Sequence, residues 1–502
     1  MRCKNAGARD LDDDDDGEYG KIATNLLWLF ARAGLLAMAP MSRSHKLSIR
    51  IANRSTGHNL KNDAPMPPSL WAAVTKPPLL FPPLTGARSV DTVIVGAGLT
   101  GLTAALHLRR AGMECVVLEA VEPGWGASGR NNGQIIPTLS RVDPEAIIAA
   151  HRVAGERFVG LIRDSAQSLF DTIREERINA EAEQTGWVQP VHSPGRMKLA
   201  ESRVAQWRKV GAKVALLSGV ELAQKLGSAA SGPGAWHGGW WASTGGHVNP
   251  LALSRGLARA VTERGGVIHA QTPALAYGRA GSRWVVTTTQ GRVDARALIV
   301  ATNAASDAFS PRLAPALAHE VVPVVSWQMA TQPIPENLRQ SVIPERNAVS
   351  DTRGELRFMR YDARHRLVTG GAIFNQRGAE QRLRPLVARR LVETFPQLAT
   401  LPGGITFDYV WNGNVGMTRD YLPRVHMLGP DGYAWVGCNG RGVALAMSIG
   451  REFARGILGV PRNELALPFT EPEPIPFYDL AKRLAPLALL KARRADAREL
   501  GG

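Results

Sequence analysis

The 502-residue chain carries 60 Lys and Arg against 44 Asp and Glu, a formal net charge of +16, with 3 cysteines. That length exceeds one core and asks for two domains, while Cys3, Cys115 and Cys438 are too few for a disulfide framework and point to a reducing cytoplasm. So basic a chain ordinarily suggests nucleic acid or an anionic surface, but only 11 of the basic residues are Lys and the Arg are scattered, a coding-bias pattern that argues against a nucleic-acid partner.

In chain order, residues 1–67 read as an extension ahead of the fold. They hold an acidic run, Asp12 to Asp16, and an apolar stretch, Leu26 to Ala39, broken by Arg32. That stretch is too short for a membrane span and lacks the basic lead of a signal peptide. Residues 1–40 are expected to be disordered or an upstream misannotation, with Met41 an ordinary start. Residues 54–87, rich in Pro, Asn and Lys, form an extended arm.

The most informative stretch follows. An apolar run, Asp91 to Val95, reads as a buried parallel strand, and Gly96, Gly98 and Gly101 come next in the spacing G-x-G-x-x-G. A helical stripe, Leu99, Leu102 and Leu106, then runs to a stop at Gly112. Gly96 permits the tight turn, Gly98 lets a pyrophosphate approach the backbone, and Gly101 lets helix and strand pack. The pyrophosphate sits on the free N–H groups of the helix start. A second strand, Cys115 to Glu119, ends on a carboxylate placed to accept from a ribose hydroxyl. The unit therefore binds a dinucleotide. A polar, glycine-rich turn, Pro123–Gln134, and a second strand–turn–helix, Tyr433–Ala446, suit a long cofactor with phosphates at one end and a ring system at the other.

Further on, residues 142–178 read as helix, and His247 to Leu257 opens another with Pro250 in its first turn. Strands at 267–271, 283–289 and 297–301 return to the dinucleotide sheet, and alternation through 319–375 predicts an antiparallel sheet. The expected fold class is α/β, a Rossmann-like cofactor domain with an interleaved antiparallel-sheet substrate domain. The boundaries place the cofactor domain at 68–178, 246–318 and 406–460, the substrate domain at 179–245 and 319–405, and a C-terminal tail at 461–502.

Several phrases carry a resemblance: Pro68-Ser-Leu-Trp71, Gly124-Trp-Gly-Ala-Ser-Gly-Arg-Asn131, Gly246-His-Val-Asn-Pro250, Ala297 to Ala304, Arg366 to Gly371, Trp411-Asn-Gly413 with Thr418-Arg-Asp420, and Gly437-Cys-Asn-Gly-Arg-Gly442. Together they resemble the FAD-dependent amine and amino-acid oxidoreductases typified by D-amino-acid oxidase, on the branch that includes gamma-glutamylputrescine oxidoreductase. The resemblance implies FAD, held non-covalently since no cysteine stands between 116 and 437. It also implies oxidation of a small amine by hydride transfer to flavin N5, the imine then hydrolysing. Ala127, Ser128, Arg130 and Asn131 would lie by the pyrophosphate and flavin, beside the ADP site of Gly96, Gly98, Gly101 and Glu119. Gly440, Arg441 and Gly442 would run under the pyrimidine edge, where many relatives carry His in place of Arg441. Tyr361, Trp411 and Arg441 are the candidates for catalytic contact, with Trp327 and Asn412 as further walls. Arg357, Arg360 and Arg364 are candidate carboxylate ligands, and no metal site is expected.

Resemblance to sarcosine oxidases implies a Lys near flavin N5, yet residues 226–481 contain no Lys. The acceptor is therefore open between oxygen and a quinone or electron carrier. Two alternative readings stand beside amine oxidation: a flavoprotein acting on a modified tRNA uridine, and a non-catalytic flavin-binding protein.

Overall fold

The computed structural model describes residues 66–232 and 234–500. The expectations for residues 1–40 and for nearly all of the 1–67 extension lie outside the described residues.

The first strand, β1 (Gly86–Val95), is longer than its apolar run; only Thr92–Val95 is buried, and the earlier half lies at the surface. It pairs in parallel with β2 (Cys115–Leu118) and with Gly291–Val300. Between β1 and β2 runs helix α1 (Leu99–Arg110), which returns the chain over one face of the sheet as a right-handed crossover requires. Parallel pairing continues through Val267–His269 on one side and Gly432–Val436 on the other. Arg424–Gly429 closes the edge antiparallel, and an antiparallel hairpin, Ala274–Ala280 with Arg283–Thr288, hangs from Gly291–Val300. After the last parallel strand comes helix α2 (Gly442–Ile457), most of whose residues are buried. The Trp435 indole N–H donates to Thr100 Oγ1 at 2.8 Å and so ties that strand to α1.

Among the described residues the second sheet has eight strands, antiparallel except where Ala348–Ser350 runs parallel to Trp187–Val191. Its two faces have different partners. Trp187, Val191, Trp240 and Ala348 join the core of the cofactor domain, whereas Val188, Met329, Val349, Met359 and Leu367 form a separate core on the far side beneath Ala379–Thr394. Neighbours in sequence divide between the two cores because side chains alternate along a strand.

One sequence-based boundary needs correction. Phe407–Met417, assigned to the cofactor domain from residue 406, pairs along Val322–Pro333 and is the edge strand of the second sheet. Alternation could not decide this, because a strand's sheet is set by its distant partner. The C-terminal tail contains α3 (Tyr478–Leu500), a 23-residue helix. It starts against Val321, which precedes the second sheet's Val322–Pro333 but packs its side chain into the core of the first domain, and the Tyr478 hydroxyl donates to the Val321 carbonyl at 3.1 Å. It ends on the second, where Asp496 accepts the Gly354 N–H at 2.9 Å and Arg196 donates to Glu499 at 2.6 Å.

Near the far end of α3, Arg493 donates to the buried Glu355 carboxylate at 2.5 and 2.9 Å, and Arg390 donates to it at 2.8 and 3.0 Å. Burial pushes the Glu355 carboxyl up, but the hydrogen bonds from Arg493 and Arg390 outweigh it and hold the group below the usual carboxylate range. A depressed folded-state pKa contributes stability above the unfolded value, and the contribution is lost as pH falls through the folded value. Hydrogen exchange followed by mass spectrometry should show the residues of α3 near Arg493 opening as pH drops below the ordinary carboxylate range. Protection that stays constant across that window would refute the latch.

Candidate functional site

The glycine turn after β1 depends on its missing side chains. Gly96 has φ +102°, and a Cβ at Gly101 would stand 2.0 Å from the Gly96 carbonyl oxygen, so helix and turn touch backbone to backbone. No side chain caps α1 from Gly98. Instead Ser128, from the following turn, accepts the Leu99 N–H at 3.0 Å. Glu119 stands just past the end of β2; its carboxylate accepts the Ala97 N–H at 2.8 Å and the Val121 N–H at 3.0 Å. Burial pushes its pKa up against the backbone N–H groups of Val121, Ala97 and Ala120, and among the described residues the one charged neighbour that acts on it is Glu122, of like sign. Backbone N–H groups thus hold this acid, leaving lone pairs for hydroxyl donors.

The turn at 127–134 is held from outside, a feature that spacing alone did not reveal. The carbonyls of three successive residues are each captured by a distant side chain. The Trp411 indole N–H donates to Arg130 O at 2.8 Å, Trp71 to Asn131 O at 2.9 Å, and the Arg360 guanidinium to Asn132 O at 2.8 Å. Within the turn, the Asn131 side chain accepts the Gly133 N–H and donates to the Ala127 and Ser128 carbonyls. Arg130 lies over the Trp125 ring at 4.1 Å, and burial lowers its pKa to about 10. The phrase Pro68-Ser-Leu-Trp71 therefore serves the site through a single indole, with Ser69 capping the short helix Leu70–Val74 that presents it.

At the second glycine turn, the Asn303 side chain accepts the Gly437 N–H at 3.1 Å, and Asn439 accepts the Thr418 N–H at 2.9 Å. Loops around 303, 418 and 439 are thereby fixed to one another. Gly440 has φ +77°, and a Cβ there would meet nothing within 4 Å; the same open space adjoins Gly126. These are backbone surfaces that a large flat group can approach. Arg441 is buried, lies over the Trp187 ring of the second sheet at 4.5 Å, and leaves Nη1 without a hydrogen-bond partner among the described residues. Burial first, then the charge of Arg203, lowers its pKa to about 9; Asp143 opposes them but already pairs with Arg203 at 2.9 Å.

The remaining candidates divide by face. Tyr361 is a correction: its side chain belongs to the far core, and its hydroxyl donates to Val342 O at 3.0 Å. Alternation put Arg360 on the near face and Tyr361 on the other. Trp327 packs against the same far core, and Asn412 is its cross-strand partner. Trp411 is on the near face but packed edge-on against Trp71, at 5.8 Å, as a brace for the Arg130 carbonyl. The carboxylate-ligand expectation is also corrected. Arg360 spends its donors on Asn132, Tyr361 and Val248 carbonyls, Arg357 pairs with Glu393 at 3.2 Å, and Arg364 is exposed. His247 donates from Nε2 to the Arg346 carbonyl at 2.9 Å, and burial holds it neutral.

The residues present fit FAD. The glycine-dependent helix start and the Glu119 carboxylate suit its ADP half, while the open backbone at Gly126 and Gly440 and Arg441, whose Nη1 has no hydrogen-bond partner among the described residues, suit a ring with anionic character. Comparison with known proteins agrees. The family described as FAD dependent oxidoreductase matches residues 91–455. Gamma-glutamylputrescine oxidoreductase of Escherichia coli is 30% identical over 393 residues, covering 78% of this chain and 89% of that protein. The probable oxidoreductase OrdL of Haemophilus influenzae is also 30% identical, over 76% of this chain and 85% of its own length. Among solved structures, glycine oxidase from Geobacillus kaustophilus superposes with TM-score 0.60 at 18% identity, covering 74% of this chain and 95% of that one. Iminodiacetate oxidase from Chelativorans gives TM-score 0.59 at 19% identity, covering 76% and 99%.

Proposed function

The chain belongs to the FAD dependent oxidoreductase family, and from that premise we propose that it oxidises the C–N bond of a small amine, with gamma-glutamylated putrescine the first candidate. The similarity to a gamma-glutamylputrescine oxidoreductase along most of both chains supports the substrate class. The observation that carries the chemistry is the set of guanidiniums at the two turns, Arg360 and Arg441 buried and Arg130 half-buried. Bound FAD, held non-covalently, would accept hydride from the carbon beside the amine nitrogen, and the released imine hydrolyses in water.

The protein's own part is positioning and electrostatics. Gly96, Gly98 and Gly101 bring backbone to the pyrophosphate, and Glu119 takes the ribose hydroxyls. Trp71, Arg360 and Trp411 hold the 130–132 carbonyls so that Arg130 keeps its place. The N–H groups at the start of α2 and the Arg441 guanidinium favour negative charge beside them. Arg130, Arg360 and Arg441 are all cations with lowered pKa. Such surroundings disfavour a second positive charge, so a substrate entering there sheds its ammonium proton, and no side-chain base is required. The unpaired thiols of Cys115 and Cys438 support a cytoplasmic setting.

The test is anaerobic addition of gamma-glutamylputrescine, putrescine, sarcosine, glycine, proline or D-alanine to the FAD-loaded protein. Loss of the oxidised-flavin absorbance band is expected with one of them, gamma-glutamylputrescine first. Admission of air then separates oxygen from a quinone or carrier as acceptor, and acid precipitation of the same sample should leave the flavin in the supernatant. Flavin that dithionite reduces but no amine bleaches would overturn the substrate reading.

A further inference from the structure

The C-terminal helix has two faces of different character. Its inner face is spent on the protein through Tyr478, Arg493, Asp496 and Glu499. On its outer face, Leu480 is 47% exposed and Leu487 46%, and Phe477 just before the helix is 74% exposed. Leu480, Leu487, Lys491, Arg494 and Arg498 succeed one another at spacings of seven, four, three and four, which is a single helical face. Lys482 and Arg483 are exposed as well. Of the helix acids, Asp496 and Glu499 are turned inward onto Gly354 and Arg196, which leaves Asp479 at the first turn. Next to the groups that Arg493 binds, the loop residues Leu356 and Phe374 also expose apolar side chains.

We propose that this face docks the protein on an anionic lipid surface, with the leucines entering the acyl boundary and the Lys and Arg lying at the headgroups. Exposed apolar side chains among cations, without outward acids past Asp479, match that surface in both polarity and charge. A second copy fits less well, since a two-fold pairing through this face would bring Lys491, Arg494 and Arg498 of both copies into one interface with only Asp479 of the helix acids facing outward to pair them. Nucleic acid would pair the cations but leave Leu480 and Leu487 unsatisfied. The helix lies on the surface, since no helix among the described residues is long and apolar enough to cross a membrane. The inference stands on this exposed face alone and does not depend on the substrate reading.

The test is co-sedimentation of the full, FAD-loaded chain with vesicles of phosphatidylcholine containing phosphatidylglycerol, against phosphatidylcholine alone. Binding to the anionic vesicles is expected, at least about tenfold tighter than to the neutral ones. Lys491→Ala with Arg494→Ala should weaken it by about 30-fold, at roughly fivefold per cation removed. Leu480→Asp with Leu487→Asp should abolish it, with FAD content and circular dichroism unchanged because these side chains are exposed. The proposal is overturned if the full chain ignores anionic vesicles or if both double variants bind as the parent does. It is equally overturned if sedimentation velocity shows a dimer that the leucine variant dissociates.

Discussion

Gly101→Ala should yield a protein that carries almost no FAD. The added methyl would stand 2.0 Å from the Gly96 carbonyl oxygen and 3.1 Å from Ile94 Cγ2. The first of these is a backbone atom in a turn that already needs φ +102°, so no rotamer change relieves the clash. The start of α1 must retreat from the turn, and its N–H groups move away from the pyrophosphate they would bind. Overpacking of this kind costs about 1–3 kcal/mol in folding alone. The larger effect is on the cofactor, since binding needs those N–H groups in register. The ratio of flavin to protein absorbance in the purified variant should fall by about tenfold or more. Gly278→Ala is the control, because a Cβ there meets nothing within 4 Å on an exposed strand, and it should retain full FAD. A fully loaded Gly101→Ala protein would refute the assignment of this turn.

Arg441→Met should lower the two-electron reduction potential of the bound flavin. The native guanidinium is buried, its Nη1 has no hydrogen-bond partner among the described residues, and the one acid whose charge acts on it, Asp143, is already engaged by Arg203. A buried cation without its own counter-charge is costly, which is reason to look for an anion that it serves. Coulomb attraction at an effective dielectric of 20 is about 4 kcal/mol at 4 Å and falls with separation, so a guanidinium in this turn would contribute on the order of 2 kcal/mol to a nearby anion. That energy corresponds to about 45 mV for a two-electron couple. Equilibration against a reference dye would read the shift, and Arg441→Lys should recover part of it by restoring charge without the planar fork. A potential unchanged in Arg441→Met would show that the guanidinium turns away from the ring and serves Trp187 packing alone.

By itself the sequence determined the cofactor domain, because its signals are local. A buried strand, a turn that only glycine can make, a helix and a terminal acid follow within thirty residues or so, and each is specified by its own backbone needs. The second turn, at 437–442, was legible for the same reason, as was the alternation that sets Arg357 and Arg360 on opposite faces. What tertiary structure alone decided concerns partners far apart in the chain. Trp71, Arg360 and Trp411 meet at three consecutive carbonyls from segments that no periodicity connects. Tyr361 looked like a wall of the site until the second core claimed its face of the sheet. Phe407–Met417 joined one sheet and not the other because its ladder partner, Val322–Pro333, lies there. The tail residues Asp496 and Glu499 turned out to strap the second domain. Hydrogen bonds and burial depend on which surfaces come together, and a side chain's chemistry does not say which distant carbonyl it will find.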